Sequence, residues 1–330
     1  MSVGMHGAHA LHGLVGRQVG DDVKVEWCAY SGSDDEELHK VTSSGNEEWV
    51  YTGYGGKVEA VAVDPDGYVY CSGRDYDVHK VDFHGNEEWV YTDSDDWVNE
   101  VAVDPDGYVY TASTGGQVHK IDPDGNQEWV YTEHEDRVRG VAVDAEGYVY
   151  SGSEDDEVHK IDPDGNQEWS HTNEHDNSLQ AVAVDPDGYV YFGSWTASYK
   201  VDPDGNQEWF YANYDNWVYG VAVDSDGYLY SGSNDSTVHK TTPSGDEEWI
   251  YNGHSDGVQA VAVDADGYVY SGGFDEELHK IDPDGNEEWV YTGDGSIVHA
   301  VDVDPGRSGA FHDVDTVTAR AIVPNPWKDD

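Results

Sequence analysis

Apolar and polar positions along this chain follow a phrase that returns every forty residues. In one copy, Val58-Glu-Ala-Val-Ala-Val63 is an apolar run with small residues, suited to a strand buried on both faces. Asp64-Pro-Asp-Gly67 predicts a turn, because proline presets φ at its second position and glycine permits its last. Tyr68-Val-Tyr70 leads into a second strand of β-favouring residues, and Arg74-Asp-Tyr-Asp77 is a short loop. Val78-His-Lys-Val81 reads as a third strand, and Phe83-His-Gly85 as a turn into an outer strand ending Trp89-Val-Tyr91. Four short antiparallel strands with glycine-marked turns describe one blade of a β-propeller.

Tryptophan keeps the period, at Trp49, Trp89, Trp129, Trp169, Trp209, Trp249 and Trp289. Such self-similarity marks a repeat architecture. The N-terminal copy begins in its second strand, where Tyr30-Ser-Gly-Ser33 matches Tyr150-Ser-Gly-Ser153. The last copy ends after a lone first strand, Val298-His-Ala-Val-Asp-Val303. Joined, the fragments make one whole blade and remove the sheet edges that an open array would expose. The expected fold is all-β: a closed seven-bladed β-propeller of four-stranded antiparallel blades, the last blade completed by strands from both termini. The expected division is an extension over 1–24, the propeller over 25–304 and a second extension over 305–330.

Charge sets the medium. Sixty-nine acidic against sixteen basic residues give a formal net charge of -53. Such a chain repels itself at low salt, where the Debye length is about 30 Å at 0.01 M, and relaxes when molar salt shrinks it to about 3 Å. The expected setting is a high-salt one, as in haloarchaea and their viruses. The 36 Trp and Tyr residues in regular register are not the composition of a disordered acidic tail. No clustered Lys and Arg are present to hold phosphates, so no nucleic-acid partner is expected. Cys28 and Cys71 occupy non-equivalent repeat positions and imply no disulfide framework. The start, MSVGMHGAHALHGLVG, lacks the features of a signal peptide, and no window is long and apolar enough for membrane insertion.

The phrase Gly147-Tyr-Val-Tyr-Ser-Gly-Ser-Glu-Asp, followed by Val158-His-Lys-Ile-Asp and Gly165-Asn-Gln-Glu-Trp169, resembles the repeat of pyrroloquinoline-quinone-type propellers. The resemblance covers about 25–304 and implies the fold, with a Gly and a Trp docking adjacent blades. It implies less about activity. Quinone-dependent dehydrogenases of that family typically have eight blades and a vicinal disulfide; this chain has seven copies and no adjacent cysteines. Non-enzymatic members serve as assembly and binding scaffolds.

Candidate chemistry is sparse. Lysine recurs at one repeat position, six times after His (His39, His79, His119, His159, His239 and His279) and once after Tyr199. Present in every copy, it is expected to pair with acidic groups of its own or a neighbouring blade. Asp202-Pro-Asp-Gly-Asn-Gln-Glu208 has oxygen ligands at alternate positions but lacks a full calcium loop, so weak cation binding at acidic turns is the most it suggests. His6, His9 and His12 have a metal-like spacing but read as incidental in a docking segment. No metal site, no cofactor and no catalytic residue is expected, because neither a strained serine elbow nor a Cys with a His partner is seen.

Variation between copies is uneven. The turns after the first and third strands barely change, whereas the blade-to-blade loops and the loops between strands two and three change in every copy. Both variable sets belong on one face of the disk, and loops on a rigid scaffold commonly carry binding. The residues expected to contact a ligand are Tyr54, Tyr76, Trp97, His134, Trp195, Tyr214, Trp217, His254 and Phe274. Aromatic rings beside Asp, Asn and His suit stacking on sugars or anchoring a protein partner. The leading expectation is a non-enzymatic propeller presenting this face to a glycan or protein, as a haloarchaeal virion component for host attachment. The terminal extensions would then dock into a larger assembly. The alternative is an intracellular assembly scaffold in haloarchaeal cytoplasm, and the third a quinone-dependent oxidoreductase.

Overall fold

A computed structural model describes residues 28–94, 96–172, 178–293 and 295–304. Both terminal extensions, His6, His9, His12 and part of the loop before the fifth blade lie outside the described residues. The described chain forms seven four-stranded antiparallel sheets. Blade 1 is the composite one: the strand Val298–Asp304 pairs with Cys28–Ser33, which pairs with Leu38–Val41, which pairs with Glu47–Tyr51. Blades 2 to 7 follow in chain order, with inner strands Val58–Val63, Val98–Val103, Val138–Val143, Ala181–Val184, Val218–Val223 and Val258–Val263. Each inner strand contacts the next, and Val298–Asp304 contacts both Val258–Val263 and Val58–Val63, so the ring is closed.

The small residues of the apolar run have a packing cause. The third residue of each inner strand faces the backbone of the next inner strand: a Cβ on Gly140 would lie 2.8 Å from Val182 N, and one on Gly220 2.9 Å from Gln259 O. Ala or Gly therefore stands at this position in six copies, and Glu100 is the exception.

Each periodic tryptophan joins two blades. Trp129 Nε1 donates to Pro163 O of the next blade at 3.0 Å, and its ring covers Gly165, whose φ of 88° no L side chain adopts cheaply. Trp289 repeats the contact with Ser43 O and Gly45, across the junction of the two chain ends. The docking implied by the resemblance is thus present in all seven interfaces. Three of the repeated lysines, Lys40, Lys120 and Lys240, pair with acidic groups as expected, and an aromatic contact is added: Lys120 Nζ lies 3.3 Å from Glu128 and 4.4 Å from the Tyr108 ring centroid.

Candidate binding face

Inner strands run from the variable loops to the Asp-Pro-Asp-Gly-type turns, so the two loop classes lie at opposite ends of the ring, as the repeat pattern predicts. The first and last described residues, Cys28 and Asp304, are ladder partners at the constant-turn end. The constant turns are locally self-satisfied. Asp202 Oδ1 accepts from the backbone N–H groups of Asp204 and Asn206, and both its oxygens accept from Asn206 Nδ2. Backbone donation holds this exposed carboxyl below its ordinary range.

At the variable end, four of the nine sequence-selected residues point inward. Tyr54, His134, Tyr214 and His254 are buried. Tyr214 Oη contacts Ser231 Oγ and Ser198 Oγ, and Tyr54 packs 4.8 Å from the His79 ring. Their place in a loop concealed an interior role, because the loop's first turn folds back between strands.

His134 and His254 form arrangements that sequence reading missed. His134 Nε2 is 2.8 Å from Ser151 Oγ and its Nδ1 is 2.9 Å from Asp155, and His254 stands likewise 2.8 Å from Ser271 and 2.8 Å from Asp275. These are Ser-His-Asp alignments in which both serines are fully buried in this structure. His134 also stacks on the repeat histidine His159 at 3.9 Å, and His254 lies tilted against His279 at 3.8 Å. His254, Asp275 and His279 could group around an ion, but hydrogen bonds to Ser271, Tyr251 and Glu277 already use their ring nitrogens.

The other five residues form two groups. Trp195 stacks on Trp217, with centroids 5.3 Å apart and planes 20° from parallel. Trp217 meets Tyr219 at 5.9 Å, and Tyr219 meets Phe274 edge-on at 6.4 Å, so these rings make one aromatic arc over blades 5 to 7. Trp97 lies apart, its ring covered by the Arg74 guanidinium at 4.7 Å, with the exposed Tyr76 in the same loop as Arg74. Burial raises the Tyr219 phenol to about 12, so the arc is uncharged there.

Beneath the loops lies a ring the sequence reading passed over. One repeat position, the second residue of six inner strands and the residue just before Ala181–Val184, is different or re-paired in every blade: Glu59, Asn99, Arg139, Gln180, Tyr219, Gln259 and His299, all buried. In blades 1 to 4 it pairs with the first residue of the loop between strands two and three. Glu59 meets Arg74 at 2.5 Å, Asn99 meets Thr114 at 3.0 Å, Arg139 meets Glu154 at 2.7 Å and His299 meets Asp34 at 2.5 Å. Lys57 adds a 2.8 Å contact to Asp34. Burial raises the Asp34 pKa, but His299 and Lys57 outweigh it and hold the carboxyl at about 2. In blades 5 to 7 the same two positions carry Gln180 and Trp195, Tyr219 and Asn234, and Gln259 and Phe274. The mouth of the ring is thus divided into a charged arc and an aromatic arc. The signal was available: a position that varies freely inside an otherwise constant Val-x-x-Val-Ala-Val phrase.

Fold and repeat together define a closed seven-bladed β-propeller. A family model described as outer membrane protein assembly factor BamB matches residues 92–211, which lie in blades 3 to 5. The crystal structure of the WD40 beta propeller domain of Doa1 superposes with a TM-score of 0.67 at 18% identity. That match covers 74% of this chain and 85% of the other, and it is a likeness of fold. No curated protein matches the sequence.

Proposed function

We propose that this protein is a non-enzymatic binding module whose variable face engages a partner. The observation that carries this reading is the division of the mouth into two arcs built from non-repeating side chains, while the opposite face repeats the same turn. Among the described residues every arginine, Arg74, Arg137 and Arg139, and the one lysine outside the repeat position, Lys57, sit at this end. A merely structural ring has no need to gather them there.

The setting we propose is a high-salt one, and the charge of -53 supports it. The partner is a glycan or glycoprotein of a halophilic cell envelope, and the propeller is carried on a virus particle for attachment. The second reading, an assembly scaffold inside the cell, draws support from the family match to an outer membrane assembly factor. Retention of purified protein on haloarchaeal envelopes in molar KCl tests the binding face. Trp195→Ala should reduce retention at least about tenfold, a loss of about 1.4 kcal/mol, and Asp164→Asn on the constant face should not. Equal retention of both variants would refute the assignment of the face. Mass spectrometry of purified virus particles decides between the virion and the scaffold.

A further inference from the structure

The aromatic arc has a chemistry distinct from the rest of the surface, and resting on the binding-face reading we infer that Trp195 and Trp217 form the platform of a neutral-sugar subsite. The ring that would receive the sugar is Trp195: it is 45% exposed, and Trp217 supports it from one side. A half-exposed tryptophan stacked on a second one presents a rigid flat apolar surface that loses little entropy on binding. The axial C–H groups of a pyranose match such a surface.

Its surroundings favour a neutral ligand. The loop carrying Trp195 reads Trp195-Thr-Ala197, while its counterparts read Asp34-Asp-Glu-Glu37 and Glu154-Asp-Asp-Glu157. Thr196 is exposed beside the ring, and Asn216 precedes Trp217. Among these residues the patch offers aromatic, amide and hydroxyl groups and no positive group for an anion.

A second observation points to a hydroxyl donor. Gln180 lies next in the ladder to this loop, its backbone N–H donating to Gly193 O at 2.9 Å. Its Nε2 is bonded to Ser178, but its Oε1 is buried with no partner. In blades 1 to 4 the equivalent side chain is paired to the equivalent loop residue; in blade 5 that residue is Trp195, whose one donor is its indole N–H, and the Gln180 oxygen stays without a partner among the described residues. A buried acceptor without a donor is costly, and a sugar hydroxyl entering beside the indole is the group that would relieve it.

The probe is an array of neutral gluco-, galacto- and manno-configured oligosaccharides with uronic and sulfated counterparts, read with the full chain in KCl. Wild type should retain neutral members with a signal unchanged between about 1 M and about 3 M salt, because stacking is not screened. Trp195→Ala should weaken retention roughly tenfold or more, Trp195→Phe should keep most of it, and each variant should melt with wild type. Retention of anionic members alone, or equal retention by Trp195→Ala, would overturn the subsite. If no glycan is held while Trp195→Ala still loses envelope retention, the sugar class fails and a protein ligand takes the same surface. If neither loss occurs, the binding face fails with it.

Discussion

The carboxyl of Asp264 sits at the foot of the inner strand of blade 7, where it accepts from Tyr268 N at 2.9 Å and Tyr270 Oη at 3.3 Å. Burial raises its pKa to about 6 from an ordinary 3.8, against the opposing pull of the Tyr268 N–H and Lys280. The folded state therefore holds this proton more tightly than the unfolded chain. Its contribution is fully present below pH 3.8 and is lost as pH rises through 6. The repeat histidines oppose this: burial lowers His159, His239 and His279 below 6.5, so their share of stability is lost as pH falls from 6.5. Asp264→Asn removes one side of the balance. Denaturant unfolding should show the advantage of wild type over Asp264→Asn shrinking from pH 4 to pH 7. A constant difference would mean that the carboxyl titrates normally.

Among the strands and loops, the clearest departure is the connection between strands two and three of blade 5. Six of these loops place a residue in the left-handed region, at Glu36, Tyr76, Gly116, Asp156, Ser236 and Glu276. The blade 5 loop is one residue shorter and has none, which puts Trp195 at its exposed tip. The shortening is visible in the sequence; the lost left-handed residue is not, because only the backbone reveals it. The four strands of a blade, the docking tryptophans and the composite blade were all legible, since each follows from periodicity and turn chemistry. The interior fate of Tyr54 and His134 was not, because loop membership does not say which way a side chain turns. The composite blade carries its own test. Removing Val298–Asp304 leaves Cys28–Ser33 as an unpaired edge and exposes the core facing Val301. Sedimentation should show the truncated chain associating or unfolded. A truncated chain that stays monomeric, with the wild-type melting temperature, would contradict closure by this strand.

The whole molecule is a disk with two unlike faces. One repeats an Asp- and Asn-rich turn whose first carboxylate accepts from the backbone N–H and the side-chain amide of the turn's own Asn. The other holds the non-repeating cations, the aromatic arc and the buried pairs that distinguish one blade from the next. This asymmetry follows from antiparallel topology, which sends alternate loops to opposite ends, and it was legible from a comparison of the copies. The division of the variable face into two arcs was not, because it depends on side chains of neighbouring blades meeting around a closed ring. Hydrogen exchange of the full chain, free and bound to the haloarchaeal envelope fraction that retains it, tests the central claim most directly. Slowed exchange should fall on amides near Trp195, Trp217 and Phe274, with the constant turns unchanged. Protection confined to the turns at Asp162, Asp202 and Asp282 would place the partner on the opposite face and contradict the account.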